Sequence, residues 1–77
     1  MIDWVIERKN KIIQGSKATI REKAIRAAKA EIALRGKEIG DYTEDQLEII
    51  VQEQESQIIN RYKKLPLIAL LIALGLH

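Results

Sequence analysis

The chain has no cysteine, which excludes a disulfide framework, a thiolate nucleophile and Cys-ligated zinc. Histidine occurs once, as His77, and serine only as Ser16 and Ser56. A nucleophile needs an activating base, so no catalytic triad is credible. A lone terminal histidine without an acidic neighbour reads as solvated rather than as a metal ligand. Glycine is scarce and lies in the wrong registers for cradling phosphate, since neither Gly15-Ser16 nor Gly36-Lys37-Glu38-Ile39-Gly40 matches a nucleotide-binding loop. There is no strand-like alternation, internal repeat or low-complexity tract. No catalytic, cofactor-binding or metal-ligating residue is assigned, and the chain is expected to be non-enzymatic.

Long apolar runs are missing too. The most extended uncharged stretch runs from Leu65 to Leu76, and a helix from Leu67 to Leu74 would be about 12 Å long against ~30 Å for a bilayer core. It is too short to span. Pro66 suits the first turn of such a helix and Gly75 its C-terminal cap. Because no side chain in the stretch is polar, the expectation is a central core helix enclosed by the others. Subunit contact and membrane-surface anchoring are the alternatives, the latter kept open by Arg61, Lys63 and Lys64 just upstream. Met1-Ile2-Asp3-Trp4 opens with an acid and no long apolar run follows, so no targeting segment is expected and the cytoplasm is the default location.

What the sequence does contain is helical periodicity. Its 77 residues, 47% of them apolar, suit one small domain over 1–77 that is marginal in stability and helped by partners. Ile2, Val5, Ile6, Ile12 and Ile13 share one face of a first helix over about 3–14, with Lys9 interrupting and Asp3 as N-cap. Trp4 points away from that stripe and reads as a lid over the bundle end. Gly15-Ser16 ends this helix and caps a second over 16–35, which is rich in alanine. Ile20, Ala24, Ala27, Ala28 and Glu31 form one stripe, with Ile25, Ala28 and Ile32 beside it. Small side chains there would let the bulky tail approach closely.

Gly36 stops the second helix, and Gly40-Asp41 turns the chain. Thr43 with Gln46 forms a capping box that opens a third helix over 44–64. Acids at its start and Arg61, Lys63 and Lys64 at its end suit the helix dipole. Its stripe is Leu47, Ile50, Val51, Ile58, Tyr62 and Leu65, with Gln54 in the middle. A fourth helix over 66–75 follows. The fold class expected is all-α: a bundle of three amphipathic helices plus a short apolar C-terminal helix.

Charge is unevenly placed. Residues 1–40 carry ten Lys/Arg against five Asp/Glu, residues 41–60 six acids and no base, and the remainder three bases, for a net +2. A basic segment packed against an acidic one is the simplest reading. Glu44, Glu48 and Glu55, with Gln52, share a face of the third helix and read as solvated or as partners of the basic helix. Di-metal bundles would need Glu-x-x-His ligands, which are absent.

The functional expectation is a small protein–protein interaction or regulatory module that self-associates, most simply as a homodimer. Ile49 and Ile59, off the main stripe of the third helix, and Leu67, Leu70, Leu71 and Leu74 of the tail are the candidate interface. Two alternatives stand beside it. One is nucleic-acid binding through the basic helix 16–37, with Lys17, Arg21, Lys23, Arg26 and Lys29 as contacts. The other is peripheral membrane attachment through the tail 65–76.

Overall fold

A computed structural model describes residues 2–75, and side chains from Asp3 onward; the side chain of Ile2, together with Leu76 and His77, lies outside the described residues. The chain is all-α, with helices α1 (Ile2–Gly15), α2 (Lys17–Leu34), α3 (Glu44–Lys64) and α4 (Leu67–Ala73), and a 3-10 turn at Ile39–Asp41 between α2 and α3. No strand occurs among the described residues. The boundaries agree closely with the sequence periodicity because each is written in local chemistry.

The junction of α2 with the turn shows this best. Gly36 has φ +70°, the left-handed region that side chains with a Cβ avoid. Its N–H donates to Ala33 O at 2.9 Å and the next N–H, of Lys37, donates to Ile32 O at 3.1 Å. These are the paired bonds of a Schellman cap, which satisfy carbonyls that a helix end leaves open. At the start of α3 the reciprocal box forms as expected. Gln46 N–H donates to Thr43 Oγ1 at 3.1 Å, and Thr43 N–H donates to Gln46 Oε1 at 2.9 Å.

Two expected caps are corrected. Asp3 lies in the first turn of α1 instead of preceding it. Ser16 makes no side-chain cap bond; it is buried, and its N–H donates to Ile13 O at 3.1 Å. The break between α1 and α2 is therefore a one-residue bend held by backbone bonds.

The dominant contact is an α2–α3 hairpin. Ile20, Ala24, Ala28 and Ile32 are buried on α2, one every four residues, and Ile58 and Tyr62 are buried on α3. Alanines on α2 leave room chiefly for α3, since side-chain size sets how closely two helices approach, while Ala24 also joins Leu70 and Leu74 of the tail in one buried cluster. The two odd polar residues of the facing stripes explain each other. Gln54 donates to Glu31, whose other oxygen takes Arg35 Nη2 at 2.8 Å.

At the end where α2 begins and α3 finishes, α1 and α4 close the core. Ile13, Ile20, Ala24, Ile58, Tyr62, Leu70 and Leu74 form one cluster, flanked by Ile12, Val51, Ile59, Leu65 and Ala73. The molecule is elongated, 48 × 20 × 17 Å. Leu65 and Pro66 are extended (ψ 146° and 154°), so α3 stops and α4 is a separate segment, as the steric restriction on a residue before proline requires.

Candidate docking surface

The tail is not enclosed. Leu70 is 0% exposed and Leu74 is buried, but Ile68 is 73% and Ile72 63% exposed. Helical spacing accounts for the division: residues 70 and 74 share one face of α4, and 68 and 72 lie nearly opposite. A seven-residue helix packed against the end of a narrow bundle covers one side of itself. Leu67 and Leu71 are half-buried between the two faces.

Two lysines tie this end together. Lys23 Nζ donates to Ala73 O at 3.1 Å, at the C-terminus of α4. Lys9 Nζ donates to Lys63 O at 2.6 Å, at the C-terminus of α3. Cations at helix C-termini satisfy open carbonyls and oppose the negative end of the dipole. Lys9, the polar interruption on the α1 stripe, thereby has a structural role. Ile6 lies beside it, half-exposed, in a shallow groove with Lys9, Asn10 and Lys63. Trp4 is not a lid: it is 52% exposed, with the Arg8 guanidinium 5.9 Å from its ring centre, a cation–π distance.

The acidic row of α3 is a partner for the basic helix. Arg21 is forked between Glu48 and Glu55, the latter at 2.9 Å, and Gln52 lies 3.4 Å from Glu48. The hydrogen bond from Arg21 holds the Glu48 carboxyl below its ordinary range, with the guanidinium charge adding to it against partial desolvation. By the same bond Arg21 is held above the usual guanidinium value. Glu44, at the head of the row, is exposed. Glu48 and Glu55 are occupied by a cation of their own chain. Among the described residues no cluster of three or more His, Cys, Asp or Glu is placed to hold a metal. A concavity of about 480 Å³ lies on α1 among Trp4, Glu7, Arg8, Lys11 and Ile12. One helix lines it.

No protein-family model, curated protein or solved structure matches this chain. The site rests on its geometry.

The residues expected to form an interface are divided by the fold. Ile49 is 64% exposed on α3, whereas Ile59 packs against the core of its own chain, and Leu70 and Leu74 are core residues. Of the basic residues, Arg21 is taken by two carboxylates and Lys23 by a carbonyl, leaving Lys17, Arg26 and Lys29 exposed. The outward pair Ile68 and Ile72 was absent from the expected interface. Spacing alone sets them opposite Leu70 and Leu74, but with no polar residue on either face nothing marks which side turns outward.

Proposed function

We propose that this protein is a non-enzymatic interaction module that docks through the uncovered face of α4. The observation that carries the reading is the exposure of Ile68 and Ile72 on a helix whose other face is anchored in the core. The outward side of a surface helix is ordinarily polar; here it is aliphatic, on a chain short of core to begin with. The engaged state of Glu48 and Glu55 argues against a carboxylate site. The commitment of Arg21 and Lys23 to internal partners weakens the nucleic-acid alternative, because phosphate binding needs several free cations on one side.

The test is independent of the partner. An Ile68→Ser/Ile72→Ser variant should keep the circular dichroism and melting temperature of the parent while binding an apolar fluorescent dye markedly less. Equal dye binding, or loss of the fold, would show that this face is not an accessible apolar surface.

Self-association has its own support in Ile49, exposed on α3, with Leu34 and Ile39 also exposed at the loop end of the hairpin. On this reading the parent sediments as a dimer and Ile49→Lys as a monomer with unchanged helicity. A monomeric parent at high micromolar concentration rules the dimer out.

A further inference from the structure

Resting on the docking reading, we infer that the partner of α4 is the surface of an anionic lipid bilayer, with α4 lying in the headgroup boundary and the α2–α3 hairpin projecting away. Length comes first. The seven residues of α4 make a helix of about 10 Å, and among the described residues no helix is long and apolar enough to cross a membrane. Insertion of one face is the geometry left to it.

Charge selects the occupant. The last acid of the chain is Glu55; Arg61, Lys63 and Lys64 follow, all exposed, and lead directly into α4 through Leu65-Pro66. Across the connection and α3 up to Glu55, by contrast, Glu38, Asp41, Glu44, Asp45, Glu48, Glu53 and Glu55 face two bases, Arg35 and Lys37. Even with Arg26, Lys29 and Glu31 of the C-terminal half of α2 counted, the loop half of the 48 Å molecule is net acidic, whereas Arg61, Lys63 and Lys64 at the end of α3 lead into the apolar α4. Asp3 and Glu7 on α1 and Glu22 on α2, next to the Lys23 that bonds Ala73 O, are acids of the elements packed at that end, and Arg8, Lys9, Lys11, Lys17 and Lys23 of the same elements outnumber them. Aliphatic residues beside Lys and Arg match acyl chains beneath anionic headgroups, where each cation near the surface strengthens partitioning about fivefold. A protein groove would match the ridge equally well, but nothing in that alternative uses the cations.

The backbone is also prepared. Carbonyls at a helix C-terminus are costly to bring toward an apolar phase unless they are bonded. Ala73 O accepts from Lys23, Leu70 O from Leu74 N–H at 3.0 Å and Ile72 O from Gly75 N–H at 3.0 Å. Gly75, at φ +72°, permits the last of these. The inserted end of α4 thus presents aliphatic side chains with these carbonyls partnered.

The experiment is vesicle co-sedimentation of the full chain with phosphatidylcholine alone and with phosphatidylcholine plus phosphatidylglycerol. Binding to the anionic vesicles is expected to be at least about tenfold stronger and to weaken with added salt. Ile68→Ser/Ile72→Ser, and separately Arg61→Gln/Lys63→Gln/Lys64→Gln, should each reduce it about tenfold or more with no change in melting temperature. Absence of binding to anionic vesicles overturns the inference. So does binding that depends on the cations but not on the isoleucines, which is adsorption of charge alone. If vesicles fail while the dye still finds the Ile68–Ile72 face, the docking reading stands and its occupant is a protein or a second copy.

Discussion

Leu70 is the residue on which the placement of α4 depends, and Leu70→Ala measures it. The side chain is 0% exposed and belongs to the same cluster as Ile13, Ile20, Ile58 and Tyr62. Truncating a fully buried leucine removes its transfer free energy and leaves a cavity, together worth about 3 kcal/mol within a range of roughly 2–5. Domains have about 0.05–0.15 kcal/mol of stability per residue, or roughly 4–12 kcal/mol for this length, so the change takes a large share of the total. In urea melts followed by circular dichroism the midpoint should fall by about 1–3 M, and each kcal/mol should lower the melting temperature by roughly 4–8 °C. Ile72→Ala is the control. It lies two residues away, removes a similar aliphatic volume and is 63% exposed, so its effect should stay within about 0.5 kcal/mol. Equal effects of the two variants would refute the reasoning, because they would mean that α4 buries neither face. Leu70→Asp carries the same logic further and is expected to unfold the chain, since an unpaired charge is not tolerated in a dry core.

Thr43→Ala removes the acceptor for the Gln46 N–H and should cost about 1 kcal/mol in denaturant melts; an unchanged midpoint would mean that the cap is replaced by solvent. The Arg21 fork gives a pH prediction with a definite sign. Glu48 is held below its ordinary range in the folded chain, so its contribution is present above the unfolded-state value, about 4.3, and is lost as pH falls through the lowered folded value. Melts of the parent and of Glu48→Gln should therefore differ modestly at neutral pH, as surface pairs do, and converge on acidification or in high salt. Parallel profiles would show that the pair has no effect on stability.

Much of the fold is legible in the sequence because its determinants are local. Thr43 with Gln46 starts α3, Gly36 ends α2, and Leu65-Pro66 separates α3 from α4. Each acts over one to four residues, and none needs a tertiary partner to be read. Helical spacing likewise places Ile20, Ala24 and Ala28 on one stripe of α2 and Ile32 on the stripe beside it before any neighbour is known, and the structure selects these four as the buried line within that wider arc. The charge blocks also foretold that acids of α3 would meet bases of α2, though not that Arg21 would fork between Glu48 and Glu55.

Tertiary structure decided what periodicity leaves degenerate. On α4 every face is apolar, so its sequence is equally compatible with burial all round and with burial on one side. The choice fell to the space available, and a narrow hairpin end closed by α1 has room for Leu70 and Leu74 but not for Ile68 and Ile72. Ile59 and Ile49 pose the same problem on α3. Both lie off the stripe, yet Ile59 sits near the end where α1 and α4 widen the core, while Ile49 sits toward the loop end where only the hairpin remains. The lysines behave similarly. Lys9 and Lys23 look like ordinary surface cations until helices distant in sequence bring carbonyls of Lys63 and Ala73 within reach. Local caps and spacing determined where the helices begin and end; the number of neighbours at each end of the bundle determined which of their apolar side chains are covered.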